Sequence, residues 1–389
     1  MLNKIIIRYI AAAAVCYFTT PSAVFADTAT QLMQSRLGTS LADPVVTDSF
    51  QRAARPLTDA QRAKALQCWK ANGCTTGTGG KLSVAYADGF GENVWRRVTE
   101  MEFIQQALTY PEIGKIQYSS ARGDVSKAIS DLNSYIAQGV NVIVLYADSG
   151  AALAPTVREA REAGITVVLN NGTEAGAPGK DYPTSVHENI CALGQEFVNT
   201  IVRDNPSAKS VVALGGTPGN TISSEWQNCA TKQTSKLGLK ILTRIDTNWT
   251  QEGTFQAISA ALSQYGNFDG WLYEYADGFR AALRAYKAAG RPINTVVTLR
   301  TDEQGLFCDW ESLNNPNFRI YYSSGGNFTA RISLTAAMMV RSGAHIPSTI
   351  YVPFSMKPAR KGLCNRDLPM ETSLSTLVDP ATLKAMFPK

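Results

Sequence analysis

Between Lys81 and Asn171 three apolar runs, KLSVAY, VNVIVLY and ITVVLN, alternate with helix-period segments, and each run ends in a polar loop. Short runs rich in Val and Ile are the mark of strands buried on both faces, as in a parallel sheet covered by helices. From Asp124 to Gly139 the pattern changes: Ile129, Leu132 and Ile136 fall at helical spacing and a glycine closes the segment. Strand, helix, strand is therefore predicted. Ligands of such sheets sit beyond the carboxyl ends of the strands, which singles out the loops at Asp88 to Trp95, Asp148-Ser149 and Asn170-Asn171.

The same alternation restarts at Asn189. A helix to Asp204, SVVALGG, a helix from Ser223 to Leu237, LKILTRI, a helix from Thr254 to Gln264 and GWLYEY follow in order, and then a helix from Asp277 to Ala289, NTVVTLR and RIYYSS. This predicts a second parallel α/β lobe. A later helix from Thr329 to Ser342 and the run TIYVPF are placed to return and complete the first lobe.

The ends differ from this grammar. Lys4 and Arg8 precede an apolar core from Ile10 to Val15, and Val24-Phe25-Ala26 supplies a small-residue exit, so residues 1–26 read as a secretory signal peptide cut before Asp27. The 363 residues that remain exceed what one core usually serves, in keeping with two lobes. Loss of Lys4 and Arg8 takes the net charge from +5 to +3, too small and dispersed for a nucleic-acid surface. No later apolar run reaches membrane-spanning length.

Six cysteines remain in what reads as an exported chain, which points to disulfides. Pairing of near neighbours is expected: Cys68 with Cys74, Cys191 with Cys229, and Cys308 with Cys364. Zinc is the competing use, but no pair has a two-residue gap and the histidines are only His187 and His345, so no metal is expected. Residues 27–80 form a polar preface with a helical stretch near Leu57 to Lys70 and a Thr/Gly run, Thr75 to Gly80, that reads as a linker.

The stretch DVSKAISDLNSYIAQGVNVIVLYADSGAALAPTVREAREAGITVVLNN, with GGTPGN, DGWLYEYADGFRAALRAYKAAGR and the late GGN loop, resembles the type I periplasmic sugar-binding proteins, the ribose-binding-like receptors of bacterial ABC transporters. The likeness spans about residues 81–355. It implies two doubly wound parallel-sheet lobes joined by a three-segment hinge, with lobe 1 at 81–187 plus 325–355 and lobe 2, with the C-terminal tail, at 188–324 plus 356–389. The crossings would lie near Val186 to Asn189, Ser324 to Asn327 and Tyr351 to Lys357, with His187 beside the first.

The resemblance also implies a set of ligand-binding positions. Asp88, Phe90, Asn93 and Trp95 occupy the first pocket loop, where rings cover the apolar face of a sugar and polar groups meet its hydroxyls. Phe90 and Trp95 have a core role as their alternative, and Asp88 a capping role. Asn170-Asn171 stands where many relatives have Asp-Arg, a departure that replaces charge-assisted bonds by neutral ones. From the second lobe come Trp226, either in the cleft or in the core, and Trp249, Tyr275, Asp277 and an Arg300 and Asp302 pair; Asn327 belongs to the late GGN loop.

The expected activity is capture of a small neutral sugar or polyol in the periplasm and its delivery to the membrane permease of an ABC transporter, by a monomer with no cofactor. A periplasmic sensor presenting its ligand to a chemoreceptor or kinase is the alternative. No nucleophile elbow, HExxH motif or P-loop occurs, and two histidines give little base chemistry, so binding rather than catalysis is expected.

Overall fold

The computed structural model describes residues 21–91, 93–171 and 173–388. Helices α1 (Pro21–Leu37), α2 (Pro44–Ala53) and α3 (Asp59–Lys70) and a short strand β1 (Gly73–Thr75) precede the first β/α alternation. That alternation is β2 (Leu82–Asp88), α4 (Val94–Ala107), β3 (Ile113–Ser120), α5 (Val125–Ala137), β4 (Val142–Tyr146), α6 (Ala154–Glu162), β5 (Thr166–Asn170) and β6 (Thr184–His187). The second comprises α7 (Ile190–Asp204), β7 (Ser210–Gly215), α8 (Thr221–Leu237), β8 (Lys240–Asp246), α9 (Gln251–Tyr265), β9 (Gly270–Tyr273), α10 (Ala276–Phe279), α11 (Ala281–Ala288), β10 (Thr295–Leu299), α12 (Gln304–Leu313) and β11 (Phe318–Tyr322). Last come α13 (Thr329–Arg341), β12 (Thr349–Tyr351), β13 (Lys357–Pro358) and α14 (Pro380–Met386).

These strands form two sheets, ordered β1-β3-β2-β4-β5-β6-β12 and β13-β11-β10-β9-β7-β8. Both are parallel except at one edge, where β1 and β13 pair antiparallel with β3 and β11. Helices cover both faces of each sheet. In the first lobe Ile104 of α4 and Ile332 of α13 pack on one face, and Leu132 of α5 and Val157 of α6 on the other. In the second, Ile258 of α9 and Phe307 of α12 lie opposite Phe197 of α7 and Trp226 of α8. The continuous apolar strands read from the sequence are the buried central ones; VIVLY of β4 is buried at every position.

The chain passes between the sheets at the three expected places: from β6 to α7, from β11 to α13 and from β12 to β13. It does so once more. The tail, expected to stay with the second lobe, packs Leu363 and Leu374 there but buries Val378, Leu383 and Met386 in the first-lobe core. Between these ends, Leu374 N donates to Asp302 O (3.0 Å) and Ser375 Oγ to Asp302 Oδ1 (3.1 Å). Thr376 Oγ1 and Leu377 N both donate to Glu102 Oε1 on α4, at 2.6 and 2.7 Å.

Residues 27–80 are likewise joined to the first lobe: Val45, Val46 and Phe50 of α2 enter its core, Phe50 edge-on to Phe328 at 5.4 Å. The Thr/Gly run read as a linker is pinned, because Thr76 and Thr78 both donate their hydroxyls to Ile113 O at 2.8 Å. The three expected disulfides are present, Cys68–Cys74, Cys191–Cys229 and Cys308–Cys364, with Cα separations of 4.8, 5.2 and 4.7 Å. The signal-peptide expectation lies for residues 1–20 outside the described residues; residues 21–26 begin α1. Among the described residues no helix is long and apolar enough to cross a membrane.

Candidate functional site

A cleft enclosing about 540 Å³, open mouth included, lies between the carboxyl ends of the two sheets. The first lobe lines it with Phe90, Asn93, Trp95, Arg96, Tyr146 and Asp148, the second with Ile222, Trp249, Glu274, Tyr275, Arg300 and Thr301. A few polar groups set among aromatic rings in a cleft between two lobes suit a small organic ligand.

The first wall is organised by Arg96. β2 ends at Asp88, whose Oδ1 accepts from Phe90 N (3.0 Å), and Asn93 caps α4 by accepting from Arg96 N (2.9 Å). That cap turns Arg96 back so that Nη1 donates to Asp88 Oδ1 (2.8 Å) and Nη2 to Asp148 Oδ1 (2.9 Å). The guanidinium stacks on the Tyr146 ring, 3.4 Å from its centroid. Burial opposes the Arg96 charge, but Asp148 and Asp88 outweigh it and hold the group protonated. Burial raises the pKa of Asp88, and Arg96 counters it. Trp95 donates its indole N–H to Gly325 O at 2.6 Å, which ties the ring to the hinge segment.

The second wall is organised by Trp249. Asn248 and Trp249 have φ of 54° and 50°, two successive left-handed residues that aim the indole into the cleft. For a residue with a large side chain that backbone is strained, a feature that concentrates at ligand sites. The ring sits over Gly216, where a Cβ would come within 2.1 Å of Trp249 Cε2. Behind it Thr247 Oγ1 donates to Gly215 O (2.7 Å) and shares a hydrogen bond with the Tyr273 hydroxyl (2.8 Å). Glu274 Oε1 accepts from Ser223 Oγ, while its Oε2 is buried without a hydrogen-bond partner. Its burial raises its pKa, against the pull of Ser223 and Arg300.

Arg300 connects the walls. Its Nε donates to Glu188 Oε2 (2.6 Å), beyond the end of β6, and Nη2 to Asn171 Oδ1 (2.8 Å), beyond the end of β5. The expected Arg300 and Asp302 pair is therefore not formed: Asp302 turns the other way, accepting from Gly325 N (3.0 Å) and Ser375 Oγ.

Of the positions expected from sequence, Phe90, Asn93, Trp95, Trp249, Tyr275 and Arg300 line one cleft. The others stand behind it. Asp88 supports Arg96 and Asn171 supports Arg300. Asn170 is buried between the Tyr86 hydroxyl (3.1 Å) and Ser333 Oγ (3.0 Å), away from any ligand. Trp226 packs in the second-lobe core, 5.4 Å from Phe197. Asp277 bonds Gln251 (3.1 Å) and pairs with Arg280 (3.3 Å). Asn327 bonds Trp95 O (2.9 Å) and Thr99 Oγ1 (3.0 Å), bracing the hinge. His187 also has a hinge role, edge-on to Tyr351 at 5.3 Å. Sequence reasoning missed Arg96, Tyr146, Ile222, Glu274 and Thr301. Tyr146 and Glu274 adjoin strand ends, and Asp148 lay in a loop singled out by that same rule.

Residues 87–306 match the family model described as periplasmic binding protein domain. A xylitol-binding protein of Mycolicibacterium smegmatis is 26% identical over 202 residues, 51% of this chain and 57% of that protein, so the chain spans a little over half the relative's length. Among solved structures, a Mycobacterium smegmatis protein in complex with β-D-fucofuranose superposes with a TM-score of 0.61 at 21% identity, covering 79% of this chain and 95% of that one. The binding component of the arabinose ABC transporter of Shewanella sp. ANA-3, bound to L-arabinofuranose, gives 0.64 at 15% identity over 71% and 92%. At such identities the two structures establish the shared fold.

Proposed function

Since the chain belongs to the periplasmic binding protein family, whose members bind solutes and are not enzymes, we propose that it is a periplasmic receptor for a small sugar or polyol, which it delivers to an ABC permease. The observation that carries this reading is the cleft itself, into which each lobe contributes aromatic rings and hydrogen-bonding groups. Phe90, Trp249 and Tyr275 offer faces to the C–H surface of a polyol, while Asn93, Arg300 and Glu274 meet its hydroxyls. Because the ligand touches both walls at once, it binds the closed form in preference to the open one, and this difference drives closure.

A thermal-shift screen of pentoses, hexoses and polyols tests the reading. A ligand at about 100 times its Kd stabilises the folded chain by roughly 2.7 kcal/mol, a readily measured shift. No shift with any compound would overturn the proposal. Delivery, as opposed to presentation to a sensor, is tested by whether this protein stimulates ligand uptake into vesicles carrying an ABC permease from its own host.

A further inference from the structure

In the cleft and just behind it, the described carboxylates outnumber the guanidiniums. Arg96 is bonded to Asp88 and approached by Asp148, and Arg300 is bonded to Glu188 and faces Glu274. Two guanidiniums thus meet four carboxylates. Just behind, Asp277 stands beside Tyr275, and Arg280 is shared between Asp277 and Asp309. Among the described residues no lysine lines the cavity.

The expectation of an uncharged ligand rested on the loss of an Asp-Arg pair after β5, and it did not include Glu274 or Asp148. Glu274 is the telling group. Ser223 Oγ donates to its Oε1, its Oε2 is buried without a hydrogen-bond partner, and among the described residues no guanidinium or ammonium bonds it. Around it are the Trp249 and Tyr275 rings, with Phe90 on the facing lobe. One face of Tyr146 is already occupied by Arg96. Aromatic faces beside a buried carboxylate form a cation site, because the ring quadrupoles and the anion attract the same charge.

We infer that the ligand is a polyol carrying one amino group, bound as its ammonium ion against Glu274 among the rings of the second wall. This rests on the proposed sugar-or-polyol function and names the ligand class within it. The hydroxyls lie toward Asn93 and Arg300 and the ammonium toward Glu274, which fixes the ligand's direction in the cleft.

Calorimetry with matched pairs, xylitol against 1-amino-1-deoxyxylitol and glucose against glucosamine, tests the inference at neutral pH. In at least one pair the amine is expected to bind about tenfold tighter or more, and its affinity, unlike that of the neutral partner, to fall with added salt. Glu274→Gln should reduce that ratio by about tenfold, the neutral partner serving as internal reference. If Glu274→Gln does not fold, Asp148→Asn replaces it and should reduce the ratio in the same direction. Equal or tighter binding of the neutral members overturns the inference and leaves the sugar-or-polyol reading standing, whereas binding of no polyol, sugar or amine overturns both. A preference for the amine that survives the loss of either carboxylate also overturns it.

Discussion

The two walls of the cleft face each other but are built on opposite terms. On the first, Arg96 is bonded to two carboxylates, stacked on Tyr146 and positioned by the Asn93 cap, so its charge is matched before anything binds. On the second, Trp249 is held at a left-handed backbone and Glu274 is buried with no bonded cation among the described residues. A matched wall changes little when a ligand arrives and so serves to position it. A wall with strain and uncompensated charge gains most from being filled, and selectivity is concentrated there.

The largest effect should come from unmatching the first wall. Arg96→Met leaves buried Asp88 and half-buried Asp148 without their shared cation, and removal of one member of a buried ion network destabilises by about 3 to 5 kcal/mol. Urea unfolding measures it; a loss under about 1 kcal/mol would mean that the wall is not held by charge.

Trp249→Ala tests the second wall through binding. Affinity should fall by roughly 1 to 3 kcal/mol, about 5- to 150-fold, in a folded protein. Trp249→Gly sharpens the point, since glycine accepts a positive φ and should fold more stably than Trp249→Ala by about 1 kcal/mol. Equal stability of the two variants would refute backbone strain.

The third prediction concerns pH. Burial, countered by Thr301, pushes Glu303 up to about 8. Its folded pKa lies above the ordinary carboxylate range, so the folded state binds the proton more tightly and stability falls as pH rises from about 4.5 through 8. Glu303→Gln removes that dependence. Its stability, followed by thermal melting, should gain on wild type progressively between pH 5 and 8, by an amount on the order of 3 kcal/mol at pH 7. A constant difference across that range would show that Glu303 does not titrate there.

Asn93→Ala should have the smallest effect, about 1 kcal/mol of stability from the lost α4 cap. It is followed by the same urea titration, and binding should weaken alongside it because the cap also directs Arg96.

Much of this architecture was legible because buried parallel strands are unbroken apolar runs, as in β4, and because aromatic residues just beyond strand ends stand out. β3 was not read as a strand: IGKIQYSS alternates buried and exposed positions and carries polar residues through its length. The preface looked separate because α2 contributes only Val45, Val46 and Phe50 as large apolar side chains to the core. Charge partners were the least readable feature. Arg300 and Asp302 are neighbours in sequence, yet beyond the end of β10 they diverge, and Arg300 reaches Glu188, 112 positions away. Adjacency in sequence carries little information about pairing where two lobes meet, because the partner is set by the closure of the hinge.

The tail between Leu374 and Leu377 sets a limit on that hinge. Its first two residues are fastened to Asp302 and its last two to Glu102, one anchor on each lobe. Three residue steps of fully extended backbone reach at most about 10 Å. It acts as an inextensible tether: the lobes can swing about it, but the end of β10 cannot draw away from α4 beyond that span while the four hydrogen bonds hold. The entrance to the cleft must therefore widen on the side away from the tail, and the ligand enters and leaves by that side.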